Sequence, residues 1–226
     1  MTSYWRLEKT FTRTNLLLKY YPIDEEADIN PVKYDKIIDK NLQDDILRFI
    51  RKNIIHNSNL IVIGHYAFNY LVKKTGIKKY EIDNYPYYQL ISTDFENDAK
   101  KIHKLLSVEY EDNITVSEYS PFTQFLGKRI QYYYKKQPIL KLYDNNNRCI
   151  VYKKSDVKDT HFGTFQLTIL HLLSDYQYAI INNFNVEEFN YQTMITRLFK
   201  ARNSYLNKKR LTVLDNTPFQ EFIFSC

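Results

Sequence analysis

Residues 60–106 read LIVIGHYAFNYLVKKTGIKKYEIDNYPYYQLISTDFENDAKKIHKLL, and the rest of the chain is organised around them. The run 60–63 is short and wholly apolar, as suits a buried strand. Gly64 allows a tight turn, and Ala67, Phe68, Leu71 and Val72 continue at helical spacing until Gly76 supplies a left-handed stop. Pro86 marks the start of a second strand over 87–92. Thr93-Asp94-Phe95-Glu96 then fits a capping box, and Phe95, Ala99, Ile102 and Leu106 line one face of the helix that follows. Strand, glycine turn, helix, strand and capped helix form the opening unit of a phosphate-handling α/β domain.

Working outward, Leu42, Ile46, Phe49 and Ile50 predict an amphipathic helix over 41–55 leading into this unit. Before it, residues 1–40 carry mixed signals, with a short element near 16–20 and breakers at Pro22 and Pro31, and read as an arm packed on the main body. After it, another strand is expected at 114–116, then an antiparallel meander of strands at 130–134, 139–143 and 149–152, followed by long helices over 164–182 and 186–206. The expected fold class is therefore α+β: a mixed sheet in βαβα order followed by antiparallel strands, with a helical N-terminal arm and C-terminal helices. The division read from the pattern is an arm and helix over 1–52, a sheet domain over 53–160 and a C-terminal helical region over 161–226. The last residues, 218–226, are apolar and read as part of something longer.

Composition narrows the function classes. At 226 residues and 44% hydrophobic, the chain can bury a proper core. Its two cysteines, Cys149 and Cys226, argue against a disulfide framework and for a reducing, intracellular compartment. No apolar run reaches the roughly 20 residues that span a bilayer, and the amino terminus has no signal-peptide core, so no membrane partner is expected. A net charge of +6 with 21 Tyr and 14 Phe favours an acidic, stackable partner such as nucleic acid.

A strand ending in glycine at a helix start is a natural anion site, because free N–H groups and the helix dipole face the ligand. In a nucleotidyltransferase-type sheet this turn, here Gly64 and His65, holds nucleotide phosphates. The next strand then presents a carboxylate-x-carboxylate pair, whose alternation puts both acids on one face for two Mg²⁺ ions. Here that strand reads Tyr87-Tyr88-Gln89-Leu90-Ile91-Ser92 and has no carboxylate. The substitutes with suitable spacing are Glu81 with Asp83 and Asp94 with Glu96, and Asp144 is the candidate third acid beside Lys141. Capping and the helix dipole account for Asp94 and Glu96, a solvated loop for Glu81 and Asp83, and a turn for Asp144. His65 would crowd an approaching phosphate, and His56, His103, His161 and His171 are scattered. No metal site can be assigned.

For nucleic acid, Lys128, Arg129, Tyr132, Tyr133, Tyr134, Lys135 and Lys136 interleave rings with charges and are the leading candidates. An edge hairpin guarded by lysines would look the same. Further basic groups are Lys73, Lys74, Lys78 and Lys79, and Arg197, Lys200, Arg202, Lys208, Lys209 and Arg210.

The runs IGHYAFNYLVKKTG, IDNYPYYQLISTDFENDAKKI, GTFQLTILHLL and LFKARNSYLNKKRLTVLDNTPFQEFIFSC, in that order, resemble the poly(A) polymerase catalytic-subunit family of giant viruses and related large DNA viruses. The resemblance covers residues 53–226. It implies a nucleotidyltransferase-like fold in a protein that extends mRNA 3′ ends with adenylate from ATP, with Mg²⁺ or Mn²⁺, in an infected host cell or virion. It also implies two such modules per polymerase, one of them degenerate, and this sequence departs from the active pattern at the glycine turn and at the strand carboxylates. The expected role is a non-catalytic module that binds RNA or supports the active module. The alternatives are an active adenylyltransferase whose metal carboxylates are drawn from Glu81, Asp83, Asp94, Glu96 and Asp144, and a structural module that forms a homodimer.

Overall fold

The computed structural model describes residues 39–56, 58–81, 86–121, 127–145, 148–155, 159–181 and 191–220. The expected arm over 1–38 lies outside them, as do Asp83 and Cys226. Helix α1 (Lys40–Ile50) buries Ile46, Leu47 and Ile50, and a π-helical turn (Arg51–Ile55) adds Ile54 and Ile55. Strand β1 (Ile61–Ile63) is fully buried, and α2 (Gly64–Thr75) leaves it at once. Gly76 closes α2 at φ 75°, its N–H donating to the Lys73 carbonyl at 3.1 Å. A 3₁₀ turn (Lys78–Tyr80) leads toward β2 (Tyr88–Ser92) and α3 (Phe95–Tyr110). Next come β3 (Ile114–Tyr119), β4 (Arg129–Tyr134), β5 (Gln137–Asp144), β6 (Tyr152–Lys154) and β7 (His161–Gly163). Helices α4 (Phe165–Ile181) and α5 (Tyr191–Lys209) follow.

The seven strands form one mixed sheet in the order β3-β4-β5-β2-β1-β7-β6. β1 and β2 are antiparallel although α2 lies between them, whereas β2 runs parallel to β5 and β1 parallel to β7. Alternation along the central strands separates two faces. Val62, Leu90, Leu140 and Leu142 pack with Ile46 and Ile50 of α1 and with Ile102 and Leu106 of α3. Ile61, Ile63, Ile91 and Tyr143 face the other way, toward Leu167 of α4. A third cluster joins α2, α4 and α5 through Phe68, Leu71, Phe165, Leu172, Met194 and Leu198, with Phe219 packed in from the carboxyl side. Burying each of these large side chains contributes about 1.5–3 kcal/mol, so the three clusters set how the helices sit on the sheet.

The α+β mixed sheet, a helical segment over 41–55 and the antiparallel β4–β5 pair agree with the sequence reading. Three details do not. The strand expected over 149–152 is instead β6, at the far edge from β5 and paired with β7, a three-residue strand with too little pattern to be seen. Because β7 hydrogen-bonds β1, the sheet runs past residue 160. The capping box also does not form. Asp94 makes no side-chain cap bond; Asn97 donates to its two oxygens at 3.0 Å, while the Ser92 hydroxyl donates to Asp98.

The two glycines at the ends of α2 separate backbone strain from crowding. Both have positive φ, but a Cβ at Gly76 meets nothing within 4 Å, whereas one at Gly64 would lie 1.8 Å from Gln89 Oε1. Gly76→Ala should cost about 1 kcal/mol from the left-handed backbone, and Gly64→Ala at least about twice that, in urea unfolding. Equal costs would mean that the Gln89 side chain moves aside freely.

Candidate functional site

Register places the chemistry. Gln89 of β2 lies opposite Ile63 of β1 on one side and Lys141 of β5 on the other, and Ile91 lies opposite Tyr143. The face where a metal-holding sheet would present acids therefore carries an amide, an aliphatic chain, an ammonium and a phenol. Gln89 is fully buried, and its Nε2 donates to Asp175 Oδ2 of α4 at 2.7 Å and to the Tyr143 hydroxyl at 3.4 Å. Its other amide atom abuts the Gly64 Cα, so the side chain fills the start of α2 where an anion would otherwise approach. Gly64 is needed here because of that contact and because its φ is 64°.

Aromatic rings and cations close the rest of this face. Lys141 Nζ donates to the Tyr87 hydroxyl at 2.9 Å and sits 4.2 Å from that ring's centroid. The Tyr87 and Tyr191 hydroxyls lie 3.3 Å apart, and the buried His65 ring packs 6.1 and 5.9 Å from their rings. Tyr143 packs edge-on against His171 at 5.1 Å. Arg129 is buried too, its guanidinium carbon 4.3 Å from the Tyr119 ring and 4.8 Å from the Tyr178 ring. Burial lowers the Lys141 pKa to about 8, against the pull of Asp175 and with the repulsion of Arg129. Burial opposes the Arg129 charge as well, but the oxygens of Tyr178, Tyr143, Tyr119 and Asp175 outweigh it, and its pKa is raised. Tyr143 is pushed up by burial and by Asp175. The cluster gathers two cations and aromatic hydroxyls around one carboxylate, Asp175, and among the described residues leaves Gln89 Oε1, Arg129 Nε and His65 Nδ1 buried without a hydrogen-bond partner.

The other candidates lie elsewhere. Asp94 and Glu96 are exposed at the start of α3. Asp144 is aligned with Ser92 at the ends of their strands, so Asp94, Asp98 and Asp144 all lie near Ser92. Even so, among the described residues no three His, Cys, Asp or Glu side chains converge as a metal group. Glu81 pairs with Lys73 at 3.7 Å.

In the basic stretch, Tyr132 is buried with its hydroxyl donating to the Ala99 carbonyl at 2.8 Å, Tyr134 is buried against Tyr110, and Tyr133 shares a hydroxyl contact with Tyr119. Those two buried rings cannot receive bases. Lys128 is exposed at one end of β4 and Lys135 and Lys136 at the other, where both turn residues have positive φ. Arg202 lies over the Phe165 ring at 4.9 Å. Among the other histidines, His161 stacks on Tyr152 at 4.3 Å and His103 is exposed. Asp175 was missed by the sequence reading. The signal was present: it is the lone carboxylate in a 17-residue helix with no other Asp, Glu, Lys or Arg.

A family model described as "APMV, Putative poly(A) polymerase, catalytic subunit, C-terminal" matches residues 15–226. The chain belongs to this family. It is 29% identical to the putative poly(A) polymerase catalytic subunit of Acanthamoeba polyphaga mimivirus, over 98% of this chain and 43% of that protein. The crystal structure of the Megavirus polyadenylate synthase superposes with a TM-score of 0.74 at 26% identity, covering all of this chain and 46% of that one. The chain thus spans less than half the length of the relatives it matches. Poly(A) polymerases in general depend on a nucleotide and a metal. Tested against that requirement, the side chains on this face do not fit, since hard divalent cations take several oxygen ligands, chiefly carboxylates, while the strand positions Gln89, Ile91, Lys141 and Tyr143 supply no carboxylate and the one acid here, Asp175, is bonded by Gln89 and flanked by the cations Lys141 and Arg129.

The two histidines of this poly(A) polymerase module give the face a pH signature. Burial, only partly opposed by Asp175, lowers both His65 and His171 to about 4. With folded values below the unfolded 6.5, the unfolded chain binds more protons between these limits, so stability is full above pH 6.5 and is lost as pH falls toward 4. At pH 5 each histidine should cost about 2 kcal/mol. Urea unfolding at pH 7 and pH 5 should show His171→Phe losing about 2 kcal/mol less than the unsubstituted chain; an identical loss would mean that His171 stays protonatable in the folded state.

Proposed function

We propose that this chain is a non-catalytic, nucleotidyltransferase-fold module of a viral poly(A) polymerase, supporting the adenylation of mRNA 3′ ends by a separate active module. The observation that carries this reading is the Gln89–Asp175 bond in register with Lys141. The positions that would hold metal carboxylates are occupied by a buried network, and α4 is fastened over them. The amide of Gln89 fills the start of α2, which removes the approach for nucleotide phosphates. Membership in a C-terminal family of the catalytic subunit, with less than half of each relative's length matched, accords with a module whose chemistry is supplied elsewhere. ATP with Mg²⁺ or Mn²⁺ then belongs to the active module, and RNA and that module are this chain's partners.

The purified chain, incubated with an RNA primer, ATP and Mn²⁺, should leave the primer length unchanged. Lengthening that disappears in Asp94→Ala would overturn the reading and move the chemistry to the acids around Ser92.

A further inference from the structure

Two basic runs far apart in sequence meet at one end of the molecule. Helices α2 and α5 start side by side, with the His65 and Tyr191 rings 5.9 Å apart. They pack through Phe68, Leu71 and Val72 against Met194 and Leu198, and the 3₁₀ turn after α2 touches α5, so both helices run in the same direction. Their carboxyl ends bring Lys74, Lys78 and Lys79 to the same end as Lys208, Lys209 and Arg210, and all six are exposed. Among the described residues the one ion pair at this end is Lys73 with Glu81, which does not involve these six. Three half-buried tyrosines lie beneath them: Lys74 Nζ is 5.3 Å from the Tyr70 ring, Lys79 Nζ 5.2 Å from Tyr80 and Lys209 Nζ 4.6 Å from Tyr205.

We infer that this end, formed by the carboxyl ends of α2 and α5 and the 3₁₀ turn Lys78–Tyr80, is the chain's contact surface for single-stranded RNA. Helix dipoles favour cations at these positions, but that effect is confined to each last turn and does not account for Lys78 and Lys79 beyond α2. Partly exposed rings next to cations match the demands of a single strand, whose phosphates seek charge and whose bases seek flat apolar faces. An acidic protein surface would need the charges alone. At the hairpin the ring beside Lys135 is Tyr134, at 5.6 Å, which is buried, and the half-buried Tyr133 has its hydroxyl against Tyr119. The inference rests on the chain being a polyadenylation module and adds where that module meets its RNA.

The test measures fluorescence anisotropy of a labelled single-stranded oligoadenylate with the full chain over a range of salt. With about six phosphate contacts, affinity should fall about 300-fold between 50 and 200 mM salt. Lys78→Glu with Lys79→Glu, and separately Lys208→Glu with Lys209→Glu, should each weaken binding at least about 10-fold and flatten the salt slope by about 2. Lys135→Glu with Lys136→Glu should stay within about 2-fold, and unfolding midpoints should be unchanged, as expected for exposed sites. The inference is overturned if the unsubstituted chain does not bind the oligoadenylate, if the hairpin pair loses as much as the helix-end pairs, or if the helix-end pairs lose only their hold on a purified catalytic half and keep RNA. Primer lengthening by this chain alone would overturn the non-catalytic reading and leave these binding results standing, so the two failures are distinguishable.

Discussion

A single buried hydrogen bond, from Gln89 Nε2 to Asp175 Oδ2, ties the centre of the sheet to the helix that covers it. It is charge-assisted and lies in a low-dielectric setting, where such bonds are stronger and shorter than neutral ones and where an unpaired partner is costly. Apolar packing seats α4, and the bond fixes its carboxylate over the sheet, where Lys141, Arg129 and Tyr143 are arranged around the same group. It also holds the Gln89 amide against Gly64, so the bond that covers the sheet face is the one that fills the anion-binding turn.

A sheet closed in this way is a rigid platform. The fold is shared with the Megavirus polyadenylate synthase, on which the chain superposes, and the sheet face carries packing and a charge cluster around Asp175. What such a platform can offer is its exterior. The hairpin and the paired helix ends both carry lysines there; at the helix ends the lysines lie over half-buried rings, whereas Lys135 lies over the buried Tyr134.

Most of the local elements were legible in the sequence because each rests on short-range physics. The apolar run before Gly64, the helical spacing up to Gly76, the strand after Pro86 and the face made by Ala99, Ile102 and Leu106 all appear as read. The failures have a common cause. β7 is three residues long and takes its identity from pairing with β1, which no local pattern encodes. Asp94 had the spacing of a cap, yet Ser92 and Asp98 formed the competing bond across the strand end. Alternation along Arg129–Tyr134 could not say which rings face inward, and the answer placed Tyr132 against Ala99 and Arg129 between two tyrosines.

By itself the sequence determined the α+β class, the order of the central elements, the glycine turn and the missing carboxylates on β2, since composition and periodicity act along neighbouring residues. Only the tertiary structure decided what replaced those carboxylates. Gln89, Lys141 and Asp175 are separated by dozens of residues and belong to three different elements. Their meeting depends on strand register and on the seating of α4, which are set by the packing of whole faces and not by any one segment.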